Sequence, residues 1–199
     1  YTPTSGIWKT VWLEEVSDVY LKSVVSSCEY ENCRANFEFR LNKFVKNASL
    51  EIEARYQGEK VAAAEFGIFA DYGRATLDLT LFDKVLVMKP WSIGRPNQFF
   101  DLKYTLKIDG KPVDEAGSYT ALADYRTANN GIEVNYLPCY YFRMVLDQGY
   151  YPLGGMTAKD DEELLNDVLL IKEAGFNGVR LHQKIEDERF YYFCDMAGL

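Results

Sequence analysis

Hydrophobic and polar side chains alternate residue by residue in a series of short segments between residues 19 and 122. The alternation is clearest at residues 36–44 and 49–56, and a period of two is typical of strands with one face buried. Seven short strands at this spacing predict an immunoglobulin-like β-sandwich, whereas a ligand-filled barrel, the alternative, would need more strands and more even ones. The seven predicted strands lie at residues 19–26, 36–44, 49–56, 61–69, 75–82, 99–108 and 111–122.

The pattern changes on both sides of this region. Residues 6–14 (GIWKTVWLE) are aromatic and β-branched and predict one more strand ahead of the sandwich. Beyond residue 140, apolar residues at helical spacing follow Thr157 and Asp160, either of which can cap a helix. Strand, helix, strand and helix in succession are typical of a parallel sheet. The four elements are predicted at residues 141–146, 161–174, 176–181 and 187–197.

The composition narrows the range of partners. The 199 residues carry 30 acidic and 22 basic side chains, a formal net charge of −8, and no basic stripe. This balance argues against nucleic acid and anionic membranes as partners. No apolar run approaches the roughly 20 residues that a membrane-spanning helix needs. With a single histidine and no Cys-x-x-Cys pair, the sequence offers no zinc ligands at the usual spacing, so we expect no metal and no cofactor.

The sequence has four cysteines, whose redox state indicates the cellular compartment: Cys28, Cys33, Cys139 and Cys194. In a chain of this size they indicate reduced thiols in the core and therefore a cytoplasmic protein. A Cys28–Cys33 bridge across a turn is the alternative. The chain begins inside a predicted strand, so we expect it to be a fragment, and the presence of a leader sequence stays open.

Four stretches carry more specific information together than any one of them does alone. They are residues 5–14 (SGIWKTVWLE), residues 91–102 with Trp91-Ser92, Pro96 and FFDL, residues 147–152 (DQGYYP), and residues 175–184 (GFNGVRLHQK). In this order and at these separations they resemble glycoside hydrolase family 2, the family of bacterial β-galactosidases, β-glucuronidases and β-mannosidases. The first is similar to the last strand of the family's jelly roll, the second to its immunoglobulin-like domain, and the others to the opening of its catalytic barrel.

The resemblance implies a mainly β chain in three parts: the last strand of a sugar-binding jelly roll at residues 1–14, an immunoglobulin-like β-sandwich at 15–127, and the truncated start of a TIM barrel, a βαβα unit, at 128–199. It implies an enzyme that hydrolyses the O-glycosidic bonds of β-linked sugars, β-galactosidase-like, by a retaining double displacement between two glutamates. In the family both glutamates lie near the ends of later barrel strands. We therefore expect no catalytic residue within this chain and no activity from it alone. The alternative is a non-catalytic sandwich that binds carbohydrate or protein, against which the βα unit argues.

Residues at the carboxyl-terminal ends of barrel strands face the substrate. In this sequence they are Asp147 and Gln148 after the first strand, and Arg180 and His182 at the end of the second. The resemblance implies that these four residues bind the carbohydrate substrate. For Arg180 the alternative is a structural ion pair with a barrel glutamate, and for His182 a loop position that is already hydrogen-bonded. Because a partial barrel leaves strand edges and apolar faces uncovered, we also expect the chain to self-associate.

Exposed aromatic side chains are a second kind of sugar-binding candidate. Tyr150 and Tyr151 either stack on a sugar or pack beneath a loop. Trp8, Trp12 and Trp91 are either carbohydrate platforms or, as the sequence favours, side chains that bury a large apolar area at domain junctions.

Overall fold

Two antiparallel sheets form the sandwich in the computed structural model, which describes residues 5–80, 90–128, 131–137 and 141–199. One sheet has the strand order β1-β2-β5 and the other the order β4-β3-β6-β7. All seven predicted strands are confirmed, although residues 81 and 82 of the fifth lie outside the described residues. The strands are β1 (Leu21–Glu29), β2 (Arg34–Leu41), β3 (Ala48–Tyr56), β4 (Glu59–Ile68), β5 (Tyr72–Asp78), β6 (Phe100–Ile108) and β7 (Lys111–Thr120).

The core lies between the two sheets, because each strand turns its apolar residues inward. In β3, Leu50 and Ile52 are completely buried, and Glu51 between them lies on the outer face. The rings of Phe37 and Tyr104 meet edge to face across the two sheets, with centroids 6.0 Å apart. The described sheets pack face to face and do not close, so the sandwich prediction is confirmed and the barrel alternative is not.

The strand predicted at residues 6–14 is wrong. Residues 5–20 form no strand, and no described strand pairs with them. A β-strand is completed by hydrogen bonds to a neighbour, so an aromatic and β-branched composition alone does not make one. The segment instead reaches the far end of the chain, where Lys9 Nζ donates a hydrogen bond of 3.3 Å to the carbonyl of Glu186.

A short hairpin that was not expected follows the sandwich. It consists of β8 (Tyr125–Ala128) and β9 (Gly131–Val134), paired antiparallel. The domain boundary predicted at residue 127 therefore falls inside β8. Asn135, just after β9, ties the hairpin to the sandwich by donating a 2.7 Å hydrogen bond to the carbonyl of the buried Trp91.

The βαβα unit is present as predicted. Strands β10 (Met144–Asp147) and β11 (Gly178–Leu181) are parallel neighbours, joined through helix α1 (Asp161–Glu173), and helix α2 (Glu188–Ala197) follows. Of the two predicted caps, Asp160 is the one observed, and its carboxylate accepts a hydrogen bond of 3.0 Å from the Glu163 amide. The two helices cover one face of the two-stranded sheet with a second, smaller core, which includes Leu164, Val168, Phe190 and Cys194.

Residues 91–98 join the sandwich to the carboxyl-terminal end of α2. The carbonyl groups at the end of a helix are left without helical partners, and here those of Asp195, Met196 and the cap residue Gly198 accept hydrogen bonds from this loop. The three hydrogen bonds are donated by Trp91 Nε1 to Asp195 (2.7 Å), by the Asn97 amide to Met196 (2.9 Å) and by the Gly94 amide to Gly198 (2.7 Å). The sandwich therefore fixes the position of α2 and, through the helix layer, of β11.

The thiols of Cys28, Cys33 and Cys194 are free, so the alternative Cys28–Cys33 bridge is not formed. Cys139 lies outside the described residues. In the part of the chain that the structure describes, neither helix has the length and apolar character needed to cross a membrane.

Candidate functional site

The four predicted substrate-binding residues lie at one end of the parallel pair. Leu146 is opposite Arg180 and Asp147 is opposite Leu181 in the register, so Asp147 ends β10 while Arg180 is the last residue but one of β11. Gln148 and His182 each follow directly on a strand end. The geometric expectation that all four share the carboxyl-terminal end is confirmed; their role in binding sugar stays a prediction.

Asp147 and Arg180 nevertheless point to opposite faces of the sheet. Side chains alternate along a strand, and opposite residues of parallel neighbours share a face. Leu181 packs against the helix layer, so its partner Asp147 faces the helices as well, whereas Arg180 and Leu146 lie on the exposed, uncovered face. The two residues therefore share the carboxyl-terminal end of the sheet but differ by one position in the pleat, so their side chains lie on opposite sides of it.

The carboxylate of Asp147 has a local structural role on the helix side. Its Oδ1 accepts a hydrogen bond of 2.7 Å from the Gly149 amide and so holds the turn after β10. It also contributes, after burial, to raising the pKa of Asp167 on α1 above its usual range. Asp147 therefore orders the loop that carries Gln148.

Gln148 and His182 contact each other directly. Gln148 Nε2 and His182 Nδ1 are 3.1 Å apart, and the backbone supports the contact because the His182 amide donates to the Asp147 carbonyl at 2.8 Å. Both side chains are half-buried. An amide and an imidazole in contact offer hydrogen-bond donors and acceptors side by side, and such a pair can hydrogen-bond to neighbouring hydroxyl groups. The contact with Gln148 is compatible with both alternatives for His182, a sugar-binding residue and a loop position that is already hydrogen-bonded.

Arg180 is exposed on the face away from the helices, beside the half-exposed Leu146 and Met144. Among the residues that the structure describes, no carboxylate forms an ion pair with Arg180. A guanidinium offers five donors in a planar fork that suits carboxylates and paired hydroxyl groups. This side chain is therefore available to a partner on the open face of the sheet.

A buried ion pair lies close to these residues, and no sequence pattern indicates it. The side chains of Lys184 and Glu186 are each 2% exposed, and Lys184 Nζ lies 2.5 Å from Glu186 Oε2. The same ammonium donates to the Gly149 carbonyl at 2.7 Å. In the sequence the two residues look like part of a solvated, charged loop, and only the fold shows that they are enclosed.

Tyr151 packs rather than stacks. It is buried, and its hydroxyl donates a 3.1 Å hydrogen bond to Glu186 Oε1. Burial and the nearby Glu186 carboxylate raise its pKa above the ordinary value. Of the three tryptophans, Trp91 is buried at the domain junction as the sequence favoured, whereas Trp8 and Trp12 are exposed.

Within residues 5–80, 90–128, 131–137 and 141–199, no group of three or more His, Cys, Asp and Glu side chains is arranged to hold a metal ion.

No protein-family model matches the sequence. Solved structures of glycosyl hydrolase family 2 members share its fold. One from Bacteroides cellulosilyticus is 20% identical with a TM-score of 0.76, and the match covers 91% of this chain and 24% of that one. An FMN-binding β-glucuronidase from Facaelibacterium prausnitzii L2-6 is 19% identical with a TM-score of 0.74, covering 92% and 29%. A Ruminococcus gnavus β-glucuronidase in complex with a C6-substituted uronic isofagomine is 16% identical with a TM-score of 0.69, also covering 92% and 29%.

The fold is thus that of a segment of glycosyl hydrolase family 2 structures, a β-sandwich that continues into a βαβα unit. The chain spans about a quarter of the length of the structures it matches. At these identities the likeness defines the fold and leaves the chemistry to be argued from the residues.

Proposed function

We propose that this chain is the sandwich and barrel-opening segment of a family 2 glycoside hydrolase that cleaves β-linked sugars with retention of configuration. The observation that supports this most is the order of the parts. An antiparallel sandwich runs directly into parallel β10 and β11, in the same order as in solved family 2 structures over 91% of the chain. A sandwich that only binds carbohydrate or protein has no use for two parallel strands with a helix layer.

In a retaining hydrolysis one carboxylate attacks the anomeric carbon while a carboxylic acid protonates the departing oxygen, and water then releases the sugar. The resemblance implies that two glutamates outside this chain perform these steps. Within the chain, we assign to Arg180 the orientation of a carboxylate or the binding of a sugar hydroxyl, and to Gln148 and His182 the binding of hydroxyl groups. Asp147 supports the loop of Gln148 from the helix side, through the hydrogen bond from the Gly149 amide.

The identity of the sugar is a finer part of the proposal. The resemblance implied β-galactosidase-like activity, whereas two of the structures with this fold are named β-glucuronidases. An arginine on the open face suits either substrate, because it binds a uronate carboxylate or a pair of hydroxyls. The aryl β-galactoside and the aryl β-glucuronide are therefore the two substrates to compare.

The experiment is an assay of the complete gene product that contains this sequence. Purified protein is incubated with p-nitrophenyl β-galactoside, β-glucuronide and β-mannoside, and the anomer released first is identified by NMR. We expect turnover of at least one substrate, with the β-anomer released. Binding of sugars without turnover of any of the three would favour the binding module, and release of the α-anomer would contradict the retaining mechanism.

A further inference from the structure

The buried pair of Lys184 and Glu186 joins the two loops that follow β10 and β11. Lys184 Nζ donates to the Gly149 carbonyl at 2.7 Å and to Glu186 Oε1 at 2.7 Å. Glu186 Oε1 also accepts from the Tyr151 hydroxyl at 3.1 Å. The loop after β10 thus supplies the Gly149 carbonyl and the Tyr151 hydroxyl, and the loop after β11 supplies the charged side chains of Lys184 and Glu186. Two of the three hydrogen bonds cross between the loops, and the third joins the two charges.

The side chains of this pair are enclosed, most tightly at Gly149. An added Cβ at Gly149 would lie 2.5 Å from Lys184 Nζ, and Gly149 has a φ of +56°, so the turn needs a glycine for both space and conformation. The Trp8 ring has its centroid 5.5 Å from Lys184 Nζ and closes the pair from the segment ahead of the sandwich. Glu186 Oε2 receives no hydrogen bond besides its 2.5 Å contact with the ammonium.

A buried ion pair is a poor way to gain stability, because desolvation of both charges offsets their attraction. Its better-attested use is to fix one arrangement among several, since either charge left alone in the interior is strongly unfavourable. Here the arrangement that it fixes is the spacing of the two loops. Gly149 follows Gln148 directly, and Lys184 lies two residues beyond His182, so the pair anchors both loops next to the 3.1 Å contact between Gln148 and His182.

We propose that Lys184 and Glu186 are positioning residues, which hold Gln148 against His182 so that the two side chains present a fixed set of donors and acceptors. That Gln148 and His182 bind sugar rests on the proposed function, whereas their positioning by Lys184 and Glu186 does not. Neither charge needs to touch the substrate, because both are enclosed behind the strand ends.

The positioning is measurable in the 199-residue chain, because His182 is its only histidine. The ring protons of His182 therefore give unambiguous NMR signals, and a nuclear Overhauser effect to the Gln148 side-chain amide reports the contact. The variant to compare is Lys184→Met with Glu186→Gln, which removes both charges at nearly constant volume and leaves no charge buried alone. The matched control is Lys43→Met with Asp18→Asn, which removes an exposed pair of the sandwich that has the same chemistry and a 2.7 Å contact.

We expect the double variant at 184 and 186 to fold, to lose the Gln148–His182 Overhauser effect and to shift the His182 ring signals, while the control retains both. An unchanged effect in a folded double variant would overturn the proposal. If that variant unfolds, Lys184→Met alone is measured, because it removes the hydrogen bond to the Gly149 carbonyl that links the two loops. An unchanged Gln148–His182 Overhauser effect in the folded single variant would equally overturn the proposal.

In the complete gene product, the double variant at 184 and 186 should lower kcat/KM for the active aryl β-glycoside by about 10- to 100-fold, since small displacements of binding groups cost about that much. The control pair should leave it unchanged. If the unaltered protein hydrolyses no glycoside, the proposed function fails while the NMR result still decides the positioning. If the unaltered protein is active and the variant retains full activity, the positioning role in catalysis fails while the proposed function stands.

Discussion

The Tyr119 hydroxyl, on the last strand of the sandwich, donates a hydrogen bond of 2.8 Å to Oδ2 of Asp195 in α2. Burial raises the pKa of Asp195 above its ordinary value of 3.8, and the hydrogen bond from Tyr119 opposes part of that rise. Burial, and after it the same carboxylate, raises the pKa of Tyr119. The contact between the sandwich and the βαβα unit therefore contains an ionisable group whose charged form is disfavoured by folding.

The stability of this junction should depend on pH through Asp195. The pKa of Asp195 is higher in the folded state than in the unfolded state. Between these two pKa values the folded chain binds more protons than the unfolded chain, so the free energy of unfolding falls as the pH rises through this range. Replacement by Asn removes this loss. We therefore expect the free energy of unfolding of Asp195→Asn, relative to the unaltered chain, to increase as the pH rises above about 4. Urea unfolding at several pH values measures this difference.

Tyr119→Phe is the companion variant, because it leaves the buried carboxylate without its donor. It should cost about 1–3 kcal/mol at neutral pH, the usual penalty for a buried acceptor left unpaired. It should also make the loss of stability with rising pH larger than in the unaltered chain. A difference between Asp195→Asn and the unaltered chain that stays flat with pH would show that this carboxylate titrates normally in the folded state.

A second prediction concerns the core of the three-stranded sheet. Phe39 and Gly73 are opposite each other in the register, and a Cβ on Gly73 would lie 2.3 Å from Cζ of the Phe39 ring. Phe39 is buried in the core, where neighbouring side chains are closely packed, so a shift of its ring disturbs them. Gly73→Ala should therefore lower the free energy of unfolding by about 1–3 kcal/mol, the typical cost of overpacking.

Gly117→Ala is the control for that variant. Gly117 also lies in a strand of the sandwich, but an added Cβ there would have Leu102 O as its nearest neighbour, at an unstrained 3.8 Å. We expect Gly117→Ala to leave the urea midpoint nearly unchanged. Equal midpoints for the two variants would mean that the Phe39 ring does not occupy the space above Gly73.

The sandwich could be predicted from the sequence because its strands obey a local rule. Inward-facing Phe37, Phe39 and Leu41 alternate with polar residues, and burial follows that alternation. The strand at residues 6–14 failed because pairing depends on a partner far away in sequence. The hairpin of β8 and β9 was missed because its strands have only four residues each, too few to show a clear alternation.

The site was predictable in position but not in detail. Parallel strands bring their carboxyl-terminal ends together, so the grouping of Gln148 with His182 followed from the topology. A shift of one residue along a strand moves a side chain to the other face of the sheet. Strand boundaries cannot be placed to within one residue from sequence, so the face to which Asp147 points could not be predicted. The burial of Lys184 and Glu186 depends on the Trp8 and Tyr151 side chains around them, which come from distant parts of the chain.

A third prediction concerns self-association of the 199-residue chain. The face of β10 and β11 away from the helices carries Met144 and Leu146, which are 47% and 49% exposed, and both strands of this sheet have an open edge. Light scattering should show concentration-dependent oligomers, and Leu146→Glu should reduce them.

Val25→Glu is the control, because Val25 is 64% exposed on the outer face of the sandwich. It should leave the oligomers in place. Loss of association in both variants would indicate a general effect of added charge, and monomers at all concentrations in the unaltered chain would contradict the prediction outright.

A fourth prediction is that the 199-residue chain, purified alone, hydrolyses no aryl β-glycoside above background. The proposed mechanism needs a pair of glutamates that the resemblance assigns outside it, and without them a rate enhancement of roughly 10⁶-fold or more has no source. Release of p-nitrophenol at a rate that falls with Arg180→Ala in the isolated chain would contradict this assignment.

The most direct test of the account is kcat/KM of the complete gene product with Arg180 replaced. Arg74→Ala, which removes an exposed arginine of the sandwich that pairs with Glu38 at 2.8 Å, is the matched control. If the open face of β10 and β11 is the sugar site, Arg180→Ala should lower kcat/KM for the preferred aryl β-glycoside by about 10²-fold, equivalent to about 2.7 kcal/mol of transition-state binding, with unfolding stability unchanged. An Arg180→Ala enzyme as active as the Arg74→Ala control would contradict the claim that this end of the sheet faces the substrate.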